Sequence, residues 1–191
     1  MPASPRPTDE QLARAARAGS KHAFAALVRR YGRQLFRFLR LRAGSADDAE
    51  ELLQDVLLRC WSRLDLYDPS RPFSTWLYTV AARQAVSRAR RPQLPNAPVE
   101  RLGELSSGPD PADALMACEA RQNLWDTVAR LLAPQARSAL WLFYAEGRSA
   151  REVAEILGKR EAAVRVMLHR AREKLAADLP LPAGAAGVRR P

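Results

Sequence analysis

The chain has 191 residues, 47% of them hydrophobic and 27% charged, so it can bury real cores and is not a disordered tail. A formal charge of +10 suggests a polyanionic partner. No apolar run approaches the roughly 20 residues of a membrane span, and the N-terminal MPASPRPTDEQ does not resemble a secretory signal, so the expected location is the cytoplasm.

The charge is segmented. Residues 1–91 carry a net +8, residues 92–112 a net −2, residues 113–179 a net +2 and residues 180–191 a net +2. Two basic blocks therefore flank a slightly acidic connector. Cys60 and Cys118 fall on apolar faces of predicted helices and read as small buried hydrophobes rather than a disulfide. Two His and two Cys, far apart, offer no zinc site.

Taken in order, residues 1–7 are proline-rich and read as a disordered N-terminus. Thr8 caps a short helix reaching Ala18, and Ser20 starts a longer one. Phe24, Leu27, Val28, Tyr31, Leu35, Phe38 and Leu39 form the buried stripe of that helix, and Gly44 closes it. Ser45 caps the next helix, with Asp47, Asp48, Glu50 and Glu51 in its first turns, where the helix dipole favours anions. Ala49, Leu52, Leu53, Val56, Leu57, Cys60 and Leu64 form its core face, with Trp61 at the edge. A loop from Asp65 to Pro72 leads into a fourth helix from about Phe73 to Arg91, in which Trp76, Leu77, Val80 and Ala81 can face the core. Residues 8–91 thus read as one helical domain.

Residues 92–112, with five prolines, two glycines and no sustained periodicity, read as a flexible linker. In the second domain, residues 113–178, Leu115, Cys118, Trp125, Val128 and Leu132 share a helix face. A helix from Pro134 to Glu146 is expected to bury Ala139, Leu140, Phe143 and Tyr144, with Gly147 ending it. Ser149 and Glu152 form a capping box. Val153, Ala154 and Leu157 then face inward, Gly158 supplies a left-handed turn, and a second helix follows with Val164, Met167 and Leu168 apolar. Ala154, Gly158 and Val164 have the spacing of a helix-turn-helix, a reader of duplex DNA. Residues 179–191 are low-complexity and expected to be disordered. The predicted class is all-α, two helical domains joined by a flexible proline-rich linker, the C-terminal one a helix-turn-helix. No catalytic constellation, phosphate loop or metal motif is present, so no enzyme activity and no cofactor are expected.

Three motifs carry a resemblance: DAEELLQDVLLRCW (Asp48–Trp61), YDPSRPFSTWLYTVAARQAVSRARR (Tyr67–Arg91), and LLAPQARSALWLFYAEGRSAREVAEILG (Leu131–Gly158) with the helix after it. In this order and at these distances they resemble an extracytoplasmic-function sigma factor of the sigma-70 group of bacterial transcription initiation factors. The first motif is similar to the family's region 2.2, the second to regions 2.3 and 2.4, the third to region 4.

The resemblance implies the partners: core RNA polymerase through its β and β′ subunits, promoter DNA, and an anti-sigma factor that can hold the protein at the membrane without inserting it there. It also implies a nucleoid-associated place in the cytoplasm. Region 2.2 would dock on a basic coiled coil of β′ through Asp48, Glu51, Gln54 and Asp55; the three carboxylates recur at three- and four-residue steps and share one face. The loop and fourth helix would engage the −10 element. There a flipped base needs apolar walls and backbone-tracking charge; Tyr67, Phe73 and Trp76 are the candidate walls, Arg71, Arg83 and Arg88 the candidate charges, and Ser87 lies on the same helix. Phe73 and Trp76 also read as core. The recognition helix would meet the −35 element through Arg160, Glu161, Ala162, Arg165, Val166 and His169, with Arg170 and Arg172 nearer the phosphates.

The chain departs from the family pattern at several positions. Arg83 and Ser87 stand where an Asn and an Asp are usual, Lys159 where an apolar residue follows the turn glycine, and Ala162 and Met167 where Gly and a basic residue are common. The alternative function is a helix-turn-helix regulator that binds DNA without serving as a polymerase subunit.

Overall fold

A computed structural model describes residues 6–89, 125 and 127–178. The linker over 92–112, the predicted helical turns over 113–124 with Cys118, and the tail over 179–191 lie outside the described residues, as do residues 1–5. The described residues contain helices and no strand, and fall into two compact units, one N-terminal and one C-terminal. No helix among them is long and apolar enough to cross a membrane, and no cluster of His, Cys, Asp and Glu could hold a metal ion.

In the N-terminal unit, α1 spans Asp9–Arg17, α2 Lys21–Arg40, α3 Ala46–Ser62 and α4 Phe73–Ala89, with a 3-10 turn at Leu64–Leu66. Each start is set locally. The Thr8 hydroxyl accepts from the Gln11 amide (3.2 Å) while the Gln11 side chain accepts from the Thr8 amide (2.8 Å), a reciprocal capping box. The Ser20 and Ser45 hydroxyls accept from the amides of Ala23 and Asp48. Gly19, at φ +97°, turns the chain between α1 and α2. Gly44 plays no such part: α2 already ends at Arg40, and the Leu39 carbonyl closes it by accepting from the amides of Arg42 and Ala43.

Successive helices pack on one another, α1 on α2, α2 on α3 and α3 on α4. Leu35, Phe38 and Leu39 of α2, Ala49, Val56 and Cys60 of α3, and Tyr78 and Ala81 of α4 are fully buried. Phe38 meets Tyr78 edge to face at 5.3 Å, and the Arg42 guanidinium covers the Phe38 ring at 5.9 Å. Polar ties cross between helices as well. Asp9 pairs with Arg30 of α2, and the Glu10 carboxylate accepts from the Phe73 amide at the start of α4 (3.4 Å).

Burial pushes the Cys60 thiol up to about 12. The thiolate is the reacting form, so in a Cys118→Ser background Cys60 is expected to react with an aromatic disulfide at pH 8 at least about a hundredfold more slowly in the native protein than in urea. Comparable rates in the two conditions would mean that the α2–α3 core opens readily.

In the C-terminal unit, residues 127–131 are helical, α5 spans Pro134–Leu140, α6 Ala150–Leu157 and α7 Glu161–Asp178. Pro134 opens α5 at its first helical position. The expectation of one regular helix to Glu146 is corrected here. From Trp141 to Ala145 the chain forms a π turn, with the Glu146 amide bonded to the Trp141 carbonyl at 3.1 Å. The extra residue per turn rotates the following side chains. Trp141 and Leu142 are buried instead, Phe143 is half-buried, and Tyr144 is 55% exposed. Trp141 stacks edge to face with Trp125 at 4.8 Å.

Candidate nucleic-acid interface

The helix-turn-helix is built from local rules. Ser149 and Glu152 exchange the two bonds of a capping box, the Ser149 amide to the carboxylate at 2.9 Å and the Glu152 amide to the hydroxyl at 3.2 Å. At the other end of α6, Gly158 takes φ +62°. The Lys159 amide reaches the Ala154 carbonyl (2.8 Å) and the Gly158 amide reaches that of Glu155 (3.3 Å), the pair of bonds of a Schellman stop. Val153, Ala154 and Ile156 are buried on α6, and Val164, Leu168 and Ala171 on α7; Ile156 takes the inward place expected for Leu157, which is half-buried.

The capping box makes stability pH-dependent. Burial raises the Glu152 pKa, but the two hydrogen bonds from Ser149 and the nearby Arg148 outweigh it, and the carboxyl sits below its ordinary 4.5. A depressed carboxylate contributes stability above its ordinary pKa and loses it as pH falls through the folded one. Ser149→Ala is therefore expected to cost about 1 kcal/mol in urea unfolding at pH 7, with a smaller difference from wild type at pH 4 and below. An equal penalty at both pH values would contradict the carboxylate's part in it.

On α7 the outward residues are Ala162, Arg165, Val166, His169, Arg170 and Arg172, with Arg160 at the turn and Glu161 half-buried beside it. All eight residues expected at the −35 contact thus lie on one helix or at its start. Glu161 accepts two bonds from Arg165 (3.0 and 2.6 Å), and His169 lies 3.3 Å from Glu173.

In the N-terminal unit, Gln54, Asp55 and Glu51 are exposed on α3 and Asp48 is half-exposed. Asp48 and Glu51 both hold Arg88 of α4, at 3.1 and 2.5 Å. The Ser45 hydroxyl, then Arg88, keep the Asp48 carboxyl below its ordinary range; bonding to Glu51, then Asp48, raises Arg88 further. Arg88, expected as a charge for DNA, is thus the ion-pair partner of the acidic face. Asp55 takes no part in this cluster. Leu58, 69% exposed, continues the 48–51–55 spacing by one more step. Sequence reasoning missed it because, beside Leu53 and Leu57, it reads as the margin of the core.

The aromatic residues before and within α4 separate. Tyr67 and Phe73 are 2% and 1% exposed, so neither ring presents a wall at the surface. They pack edge to face at 5.5 Å, and the Tyr67 hydroxyl donates to the Arg71 carbonyl at 2.7 Å, which shapes the loop. Trp76 lies at 5.7 Å from both rings and stays half-exposed, so it is the ring of the three that reaches the surface. Arg71, Arg83 and Ser87 are exposed.

These two units coincide with known sequence families. Residues 27–93 match the model of sigma-70 region 2, and residues 122–175 that of sigma-70 region 4. The ECF RNA polymerase sigma factor SigM of Mycobacterium tuberculosis is 31% identical, covering 88% of this chain and 83% of SigM. RNA polymerase sigma factor CnrH of Cupriavidus metallidurans is 31% identical over 92% of this chain and 96% of its own length. The chain spans 65% of the length of a third relative, the ECF RNA polymerase sigma factor BldN of Streptomyces coelicolor, at 30% identity. The solved structure of CnrH in complex with the cytosolic domain of CnrY matches with a TM-score of 0.67 and 28% identity, covering 90% of this chain and 97% of that one. With both family regions present in order and relatives matched across most of their length, the chain belongs to the extracytoplasmic-function group of sigma-70-type RNA polymerase sigma factors.

Proposed function

We propose that this chain binds core RNA polymerase and directs it to promoters through two separate DNA contacts, assisting strand opening without enzymatic chemistry of its own. The observation that carries this reading is the succession of region 2 and region 4 in one chain. In this reading residues 8–91 act at the polymerase and the −10 element, residues 113–178 act at the −35 element, and residues 92–112 connect them.

On α3, the Asp48–Glu51–Asp55 face with Gln54 is the docking surface for a basic coiled coil of β′, supported by the exposure of Glu51, Gln54 and Asp55 and the half-exposure of Asp48. Arg88 acts from behind, holding Asp48 and Glu51 in place. At the −10 element, Trp76 supplies the accessible ring and Arg83, Arg71 and Ser87 the polar contacts to the strand, while Tyr67 and Phe73 support the loop from inside. Arg83 and Ser87 replace the family's amide and carboxylate, so the −10 preference of this protein differs from the common one. On α7, Arg160 and Arg165 suit guanine edges and Glu161 suits cytosine. The CnrH match is a complex with the cytosolic domain of CnrY; by extension, this protein works in the cytoplasm under a protein inhibitor of the anti-sigma type.

Run-off transcription tests the reading. Core polymerase with this protein, on DNA selected from a random pool, is expected to give one start site that core alone does not. DNA binding by the free protein, with no core binding and no start-specific product, would instead establish a regulator that is not a polymerase subunit.

A further inference from the structure

The outward face of α7 has an apolar centre. At about 100° per residue, Val166 and Ala162 fall almost half a turn from the buried Val164, Leu168 and Ala171, so they sit on the middle of the side facing away from the domain. Val166 is 48% exposed, one of few large hydrophobic side chains so placed among the described residues. Two pairs of polar residues flank it: Arg165 is tied to Glu161 by two hydrogen bonds, and His169 is beside Glu173. Single exposed apolar side chains are common on protein surfaces; what singles this one out is its place at the centre of the outward face of the second helix of a helix-turn-helix.

In the major groove the one apolar group on a base edge is the C5-methyl of thymine. We infer that Val166, with Ala162 beside it, reads a thymine methyl in the −35 element, making this helix discriminate by apolar contact at its centre and by charge at its flanks. The inference rests on the reading of α7 as the −35 contact. It explains why Ala162 and Val166 lie one helical turn apart on the same line: together they form a strip that a methyl group can enter. Removing that methyl forfeits about one buried carbon, which predicts roughly a fourfold loss of affinity.

The test changes the DNA rather than the protein first. Promoters are enriched from random duplex DNA with the holoenzyme formed by the full chain and core polymerase. Each thymine of the enriched −35 element is then replaced singly by deoxyuridine, which removes only the methyl. The expected result is one thymine, on either strand, at which the wild-type holoenzyme binds about fourfold more weakly after replacement. Val166→Ala keeps the helix and removes two methyls; with it, the same replacement is expected to change binding by less than about 1.5-fold. Insensitivity of wild type to uracil at every −35 thymine overturns the inference, as does a uracil penalty that persists undiminished in Val166→Ala. In both cases promoter selection itself still succeeds, so the broader reading stands. Failure to enrich any −35 element would overturn both.

Discussion

Phe38→Ala is expected to destabilise the N-terminal unit by about 3–5 kcal/mol, a large share of the stability of a domain of this size. The side chain is fully buried between α2 and α4, edge-on to Tyr78, with the Arg42 guanidinium over its face. Truncation removes transfer energy and leaves a cavity that the surrounding leucines can fill only in part. It also strips Arg42 of the ring beneath it, although Arg42 still donates to the Ala82 carbonyl of α4 (3.2 Å). The measurement is urea unfolding of the full chain combined with amide hydrogen exchange in peptides from α2 and α3. Phe38→Leu, which refills most of the volume, should recover more than half of the loss. A cost below about 1 kcal/mol would mean that α2 and α4 are not packed through this ring.

Asp55→Lys should weaken binding to core polymerase about thirtyfold or more while leaving the helical signal unchanged. The reasoning depends on what Asp55 does not do. Asp48 and Glu51 hold Arg88, so reversing either one breaks an intramolecular ion cluster as well as any docking contact. Asp55 is exposed, lies outside that cluster, and shares its face. A lysine there places like charge against a basic partner, which costs several kcal/mol when the contact is close, and each 1.4 kcal/mol is a factor of ten. The defect should shrink as salt rises from 0.1 M to 0.5 M because exposed charges are screened. Glu50→Gln, on the same helix but more than a third of a turn away from the centre of this face, is the control and should leave core affinity unchanged. Equal affinities for Asp55→Lys and wild type would place the docking surface elsewhere.

The parts of this molecule that were legible in sequence are those governed by neighbours in the chain. Thr8, Ser20, Ser45 and Ser149 start helices because each hydroxyl meets an amide three residues on, and Gly158 stops one because its φ of +62° suits glycine. The alternation of Val164, Leu168 and exposed polar residues on α7 follows directly from helical spacing. What escaped was set by tertiary contact or by irregular backbone. Arg88 meets Asp48 and Glu51 across 40 and 37 residues, a pairing that no local pattern encodes. The π turn after Leu140 rotates Phe143 and Tyr144 out of the inward positions that an α repeat assigns them. Of the three aromatic residues, Phe73 and Trp76 also read as core from the sequence and Tyr67 only as a wall; the stack buries Tyr67 with Phe73 and leaves Trp76 half-exposed, a division that helical spacing alone does not give.

The brevity of α6 limits how this protein can be divided or transplanted. Eight residues between glycines at φ +64° and +62° fall short of the roughly 12–15 that an isolated helix needs in water. A synthetic peptide covering residues 149–178 would therefore keep its later helix in part and lose the earlier one, along with the angle between them. Grafting a new DNA preference into a relative by exchanging the recognition helix alone transfers chemistry without its aim. The transferable unit begins before α5, which packs on α7 and helps hold that helix in place.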